Sequence, residues 1–281
     1  MMPAISPAFL GNHDSIYHTA EDIAATGVFR GYYSMDIQAD TAGAPTKRLF
    51  EQNGLLPVSF RMIPDLDAEP VRFERDFAKA PELVHKAAEA GYRSATTWIM
   101  PGSHTLEAEQ YRAQIVERLQ RMCGLLGRFD LVLAVEMVAP KTLQRTFRYP
   151  ISCTTRELLK LIARVGRKNI GVCLDTFHAY CLGDVEGEYA AITELKQLAI
   201  VHINDAVAGV PPELQLDQDR RLPGETGLID CRQLFRKLRE LQYDGAVVLE
   251  PLDKRLAEMP FAQALHLAAE SVKRIWPEEC I

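Results

Sequence analysis

The most constraining feature of the sequence is a regular alternation of short apolar segments with longer amphipathic ones. Eight short segments rich in β-branched or apolar residues are candidate strands: AISPAFLG, GYYSMDI, LPVSFRMI, SATTWIM, LVLAVEMV, NIGVCLDT, AIVHIND and GAVVLEP. Several amphipathic segments between them end in glycine, as helices commonly do before the chain enters the next strand. The alternation predicts an α/β protein with a parallel sheet.

The number of repeats favours a closed sheet. Eight strands that alternate with helices, with no linker rich in proline or serine, are typical of a (β/α)8 TIM barrel. We therefore expect residues 1–281 to form a single TIM-barrel domain. An open doubly wound sheet is the alternative, but the chain lacks both the G-x-G-x-x-G fingerprint and the P-loop pattern.

Composition limits the partners and the compartment. The formal net charge of −6 offers no overall attraction for phosphate backbones, so we expect no nucleic-acid partner. No apolar segment approaches the ~18 residues that span a bilayer, and the first residues lack a secretory signal, so we expect a cytoplasmic protein without a membrane partner. The six scattered cysteines form no C-x-x-C pair, which suits a reducing compartment.

Four candidate strands end in polar residues, namely Glu136, Asp175, His202 and Glu250. Because side chains alternate along a strand, all four have the parity of the inward face, whereas their neighbours are apolar. They are spaced by about one β/α repeat or more. In a barrel they would therefore converge at the carboxyl-terminal mouth, where barrel enzymes place their active sites.

A cluster of this composition indicates a metal site. Taken singly, each residue would more often be a cap, a salt-bridge partner or a structural side chain. Three carboxylates and an imidazole that converge in a buried mouth repel one another unless a cation compensates them. We expect one divalent metal ion, Mn²⁺ first, with Mg²⁺, Co²⁺ and Zn²⁺ as alternatives.

Two further groups are predicted to reach the same mouth. His178 follows Asp175 by three residues, and a long irregular segment after the seventh strand carries DQDRRLPGETG. Long loops in compact domains are often functional, and a guanidinium could bind a substrate oxygen there. We favour Arg221 over Arg220 for this role, and the alternative is an arginine that pairs with Asp217 or Asp219 on the surface.

The motifs resemble those of a known superfamily. LAVEMV, NIGVCLDTFHAYCLG, IVHINDA, DQDRRLPGETGLID and YDGAVVLEP closely resemble the sugar isomerase/epimerase superfamily of xylose-isomerase-like barrels. Within it they are most similar to the inosose (2-keto-myo-inositol) isomerases of inositol catabolism, with the tagatose 3-epimerases as further relatives. The similarity is specific from about Leu131 to Pro251 and only architectural before that.

The resemblance implies roles for particular residues. It makes Glu136, Asp175, His202 and Glu250 the metal ligands, with Glu136 and Glu250 doubling as the catalytic acid/base pair. It makes His178 and Arg221 substrate-binding residues. One departure is PGETG, which inserts Thr226 where the family usually has P-G-E-G or P-G-Q-G.

The implied activity is isomerisation or epimerisation of a keto-sugar or keto-cyclitol by proton transfer through a metal-stabilised enediolate. A metal-dependent lyase such as a 3-dehydroshikimate dehydratase is the main alternative, and a metal-free barrel that binds a sugar or an effector is a third. The apurinic endonucleases of the superfamily bind zinc and need a D-x-H pair at the position where this chain has Asp219-Arg220-Arg221. Arginine does not ligate zinc, so DNA repair is not the expected activity. The oligomeric state stays open, a homo-oligomer included.

Overall fold

The structure, a computed structural model, describes residues 1–277. Eight parallel strands form a closed barrel in the order β1-β10-β9-β8-β6-β4-β3-β2, so strands that follow one another in the chain are neighbours. The closed sheet confirms the predicted barrel and excludes the open doubly wound sheet. The barrel strands are β1 (Met2–Ile5), β2 (Gly31–Ser34), β3 (Leu56–Arg61), β4 (Ser94–Ile99), β6 (Val132–Met137), β8 (Ile170–Asp175), β9 (Leu198–Ile203) and β10 (Ala246–Leu249).

Two short strands, β5 (Gly102–Ser103) and β7 (Tyr149–Pro150), form a separate antiparallel pair. Helices follow the barrel strands around the ring. They are α1 (Ile16–Ala25), α2 (Ile37–Asp40), α3 (Ala44–Asn53), α4 (Pro70–Phe77), α5 (Ala80–Ala90), α6 (Ala108–Leu126), α7 (Lys141–Gln144), α8 (Thr155–Val165), α9 (Thr176–Leu182), α10 (Val185–Ala190), α11 (Cys231–Glu240), α12 (Lys254–Ala257) and α13 (Phe261–Ile275).

Two elements are shorter than their sequence patterns indicate. The first strand ends at Ile5, because a 3-10 helix over Pro7–Leu10 replaces the rest of AISPAFLG and proline has no N–H for a sheet ladder. The amphipathic segment EYAAITELKQL predicts one helix up to the next strand, but helix α10 stops at Ala190. The end of the segment becomes a turn in which the Gln197 side chain accepts the backbone N–H groups of Thr193 and Glu194.

The two faces of the strands bury different sets of residues. Residues with outward parity, such as Val135, Leu174 and Val201, belong to the large core between the strands and the helices. Residues with inward parity fill the inside of the barrel in a second cluster that includes Ala134, Cys173, Ile200 and Val248. The predicted inward and outward parity of the strands is therefore confirmed.

Two expectations on the chain as a whole can be compared with the structure. Cys123, Cys153, Cys173, Cys181 and Cys231 are buried free thiols, and Cys280 lies outside the described residues. None of the helices in residues 1–277 combines the length and the apolar composition needed to cross a membrane.

Candidate active site

The four polar residues at the strand ends lie together at the carboxyl-terminal mouth of the barrel. Glu136, Asp175, His202 and Glu250 are all buried, and one donor atom from each lies within 4.8 Å of those of the others. Nδ1 of His202 is 2.9 Å from a Glu250 oxygen and 3.6 Å from a Glu136 oxygen. The structure thus brings together the group that the strand parity predicts.

Asp175 is held rigidly by both of its carboxylate oxygens. Oδ1 accepts the backbone N–H groups of Phe177 and His178 at 2.7 and 3.0 Å, so Asp175 also caps helix α9. Oδ2 accepts from Nδ2 of Asn204 at 3.0 Å and from Nη1 of Arg220 at 3.1 Å. Burial opposes ionisation, but Arg220 and the nearby imidazoles lower the pKa of Asp175 below its usual value.

The surroundings of Glu136 raise the pKa of its carboxyl group, whereas those of Asp175 lower the pKa. Its side chain is buried, burial raises its pKa well above the usual value, and the charges of Glu250 and Asp175 raise it further. Within residues 1–277, Arg220 is the guanidinium that donates hydrogen bonds to this cluster. Three hard carboxylate donors and one imidazole fit Mn²⁺ or a similar divalent cation, which would relieve the repulsion among the carboxylates.

His178 offers a hydrogen-bond donor that has no acceptor within residues 1–277. Its Nδ1 lies 3.5 Å from the backbone N–H of Ala139 and accepts it, which assigns the proton of the neutral ring to Nε2. Nε2 is buried and has no hydrogen-bond partner among the described residues. It lies 3.9 Å from oxygens of both Glu136 and Asp217. Burial lowers the pKa of His178, which keeps the ring neutral at pH 7.

The long loop over residues 205–227 brings Arg220, and not Arg221, to the cluster. The side chain of Arg220 is 2% exposed, and Nη1 donates to Asp175 and Glu250 at 3.1 Å each while Nη2 donates to Asp217 at 2.8 Å. Arg221 instead pairs with Asp219 at 2.7 Å and does not line the cavity described below.

The backbone explains why the first arginine of the pair points inward. Arg221 and Asp205 exchange two backbone hydrogen bonds of 2.8 Å in an antiparallel bridge. Successive side chains in extended backbone point to opposite sides, so the bridge at Arg221 directs Arg220 toward the barrel. The structure therefore does not bring Arg221 to the position that the sequence analysis expected.

Asp205 fixes the base of the same loop. Its fully buried carboxylate accepts the backbone N–H groups of Thr226, Gly227 and Ile229 at 2.8 to 3.1 Å. The hydroxyl of Thr226 donates to the carbonyl of Ala206 at 3.1 Å. Thr226, the extra residue of PGETG, therefore helps to hold the two ends of the loop together.

A cavity of about 870 Å³ opens onto the cluster and has the size of a small-molecule site. Its lining includes Glu136, His178, Asp217, Arg220 and Glu250, together with Phe9, Arg61 and Trp98 from the first half of the barrel. A second cavity of about 810 Å³ lies at the opposite end of the barrel, where the strands begin, and includes none of the cluster. The first cavity is therefore the candidate substrate site.

Three residues at this site were missed by the sequence analysis. Trp98 is the register partner of Glu136 and could have been found by extending the parity argument to β4. Asn204 follows His202 by two residues, directly after β9, and could have been found by the same parity. The position of Asp217 depends on loop packing, and no local sequence signal identifies it.

Comparison with known proteins agrees with this architecture. The family described as a xylose isomerase-like TIM barrel matches residues 21–275. The chain belongs to this family. The resemblance predicted from the motifs is confirmed, and the match extends to the first half of the barrel, where the motifs were weak.

Characterised relatives of the chain are isomerases and epimerases. Inosose isomerase from Halalkalibacterium halodurans is 27% identical over 122 residues, which cover 43% of this chain and 42% of the relative. D-psicose 3-epimerase from Agrobacterium fabrum is 25% identical over 183 residues, which cover 65% of this chain and 55% of the relative. The chain spans about half the length of these relatives, so their activities enter only as proposals.

Solved structures share the whole fold. A xylose isomerase domain protein from Alicyclobacillus acidocaldarius has a TM-score of 0.82 at 24% identity and covers 98% of both chains. The IOLI protein, solved with a bound zinc atom, has a TM-score of 0.80 at 15% identity and also covers 98% of both chains. At these identities the similarity shows the fold alone.

Proposed function

We propose that this protein is a divalent-metal-dependent isomerase or epimerase of a keto-sugar or keto-cyclitol, formed by residues 1–281 as one domain. The observation that carries the proposal is the convergence of four buried donors beside a cavity of substrate size. Relatives named as an inosose isomerase and a psicose epimerase support the reaction class. We also propose a cytoplasmic role in carbohydrate metabolism, with inositol catabolism as the pathway that the inosose isomerases suggest.

Glu136, Asp175, His202 and Glu250 are the residues that would hold the metal ion. Their hard, mostly oxygen donors make Mn²⁺ the first choice, while the zinc bound to the IOLI protein keeps Zn²⁺ as an alternative. When bound, the cation would act as a Lewis acid on the carbonyl and the neighbouring hydroxyl of the substrate.

Two glutamates would move the proton. Glu136 and Glu250 stand on β6 and at the end of β10, separated by two strands of the barrel, and both line the cavity. One would remove the proton next to the carbonyl as a general base, and the other would return it from the opposite side. Return to the same carbon gives an epimer, and return to the adjacent carbon gives an isomer.

His178 and Arg220 would orient the substrate. The unused Nε2–H of His178 is directed between Glu136 and Asp217, where it could donate to a substrate oxygen. We assign the substrate-binding arginine to Arg220 in place of Arg221. Asp217 holds the Arg220 guanidinium through two hydrogen bonds, one to its carboxylate and one to its carbonyl.

Proton exchange tests this proposal directly. The protein would be incubated with Mn²⁺ in D₂O, in one arm with a keto-inositol and in the other with a linear ketose. We expect deuterium next to the carbonyl and a rearranged product in one arm, and we expect Glu250→Gln to abolish both while Arg221→Lys retains them. Loss of water from the substrate would assign the protein to the lyases. Absence of any exchange with Mn²⁺, Mg²⁺, Co²⁺ or Zn²⁺ would contradict the proposal.

A further inference from the structure

A buried thiol lies directly beneath the four-residue cluster. Cys173 precedes Asp175 by two residues on β8 and therefore points into the barrel one layer deeper. Its Sγ lies 3.8 Å from Oε1 of Glu136 and donates a weak hydrogen bond to it. The thiol of Cys173 and the donor atoms of Glu136 and His202 all lie within 4.8 Å of one another, and all three residues are buried.

The spacing of these three donors is close to that of a tetrahedral metal site. Standard zinc bond lengths at tetrahedral angles place sulfur and oxygen ligands ~3.5 Å apart and nitrogen and oxygen ligands ~3.4 Å apart. The corresponding distances here are 3.8 Å from Cys173 to Glu136 and 3.6 Å from His202 to Glu136. The donor atoms of the third pair, Cys173 and His202, lie within 4.8 Å of each other, so a shift of about 1 Å or less would bring the three donors into bonding positions.

We propose that Cys173, Glu136 and His202 form a second, softer site for thiophilic dications such as Zn²⁺ and Cd²⁺. Thiolate ligands select softer ions, whereas carboxylates favour Mn²⁺ and Mg²⁺. On binding, a bond forms between sulfur and the metal, and the thiol proton leaves to solvent without any change of oxidation state. His202 would coordinate through Nδ1, which lies 2.9 Å from Glu250 and would give up that contact, while Nε2, which has no hydrogen-bond partner among the described residues, would carry the ring proton.

The two donor sets share Glu136 and His202, so they cannot be filled at the same time. A soft ion in the deeper site would take these two ligands from the upper set and leave Asp175 and Glu250 with Arg220. Cys173 would thereby make the protein sensitive to the identity of the divalent metal, with Zn²⁺ and Cd²⁺ displacing Mn²⁺. Binding of a soft ion by these three donors does not require the proposed reaction.

Cadmium titration tests the assignment without measuring activity. Chelator-treated full-length protein would be titrated with Cd²⁺, and the ultraviolet charge-transfer absorption of a cadmium–thiolate bond would be followed. The wild type and the control Cys153→Ser, which alters another buried thiol, should show the band with a single equivalent of Cd²⁺. Cys173→Ser and Cys173→Ala should lose it and bind Cd²⁺ ~10-fold or more weakly. Their affinity for Mn²⁺, measured by electron paramagnetic resonance, should change by less than about twofold, because Mn²⁺ uses the oxygen-rich set.

Several results would overturn the proposal. Bound Cd²⁺ without a thiolate band in the wild type would show that the sulfur is not a ligand, and a band that persists in the Cys173 variants would place the ion elsewhere. If neither variant folds, cadmium NMR of the wild type decides, because sulfur ligation shifts the resonance far from that of oxygen and nitrogen ligation. Failure of the proposed reaction would appear as missing proton exchange with Mn²⁺ and would leave the cadmium result unchanged.

Discussion

Replacement of Arg220 by methionine should destabilise the metal-free protein far more than the same replacement of Arg221. The Arg220 side chain is 2% exposed and donates at 3.1 Å to each of two buried carboxylates, those of Asp175 and Glu250. Removing one partner of a buried ion pair leaves an uncompensated charge and costs about 3–5 kcal/mol. The Arg221 side chain is 15% exposed, pairs with Asp219, which is 35% exposed, and lies 3.8 Å from the buried Asp253, which also binds Arg255. Its loss leaves no buried carboxylate without a partner, so it should cost less, about 1–2 kcal/mol.

These energies convert into a measurable shift of the unfolding temperature. With an unfolding entropy of ~2.1 cal/mol/K per residue over 281 residues, a loss of ~3 kcal/mol lowers Tm by ~5 °C. Mn²⁺ at a hundred times its Kd adds ~2.7 kcal/mol to the wild type. The stability that Mn²⁺ adds should be larger in Arg220→Met, because this variant lacks the positive charge beside the ion and the charges of Asp175 and Glu250 are then uncompensated.

Thermal unfolding with chelator and then with saturating Mn²⁺ measures both effects on the wild type, Arg220→Met and Arg221→Met. Folding of each variant is checked by circular dichroism before the melt. A loss in Arg221→Met equal to or larger than that in Arg220→Met would refute the register of the loop. A loss below ~1 kcal/mol in Arg220→Met would show that the buried contacts to Asp175 and Glu250 do not form.

The remaining predictions concern the cluster and its surroundings. Glu250→Gln should slow α-proton exchange in D₂O by ~10² or more and weaken metal binding, and exchange at the wild-type rate would remove Glu250 from proton transfer. His178→Ala should keep its metal by elemental analysis and raise KM, whereas a metal-free variant would make His178 a ligand. Arg220→Lys should lower kcat/KM by ~10² and Arg221→Lys by less than about threefold, because an ammonium does not replace a planar fork. Burial lowers the pKa of His178, so below pH ~6.5 the unfolded chain binds a proton at this side chain that the folded protein does not bind, and the metal-free protein loses stability down to the folded-state pKa. Denaturant unfolding between pH 7 and pH 5 should show a smaller loss of stability for His178→Asn than for the wild type, and an equal loss would contradict the prediction.

The placement of the cluster could be predicted because it depends on local rules. Strand ends and side-chain parity are read from a few consecutive residues, and they locate Glu136, Asp175, His202 and Glu250 without any knowledge of how distant segments pack. The same rules, applied more fully, would have ended the first strand before Pro7.

The arginine at the site could not be predicted in this way. Its direction depends on the backbone bridge between Asp205 and Arg221, two residues separated by a long irregular segment. Pairing across such a loop is set by tertiary contacts, among them the buried Asp205 carboxylate that binds the backbone near Thr226. The contacts of Asp217 with His178 and Arg220 arise from the same loop and were hidden for the same reason.

Anomalous diffraction from crystals grown with Mn²⁺ locates the ion without reference to the reaction. We expect a single strong manganese peak per chain, coordinated by Glu136, Asp175, His202 and Glu250, with Arg220 beside it and open positions that face the cavity. Two results would contradict the metal site. One is a cluster without manganese under saturating Mn²⁺, in which Arg220 still binds Asp175 and Glu250, and the other is a manganese peak bound by other residues.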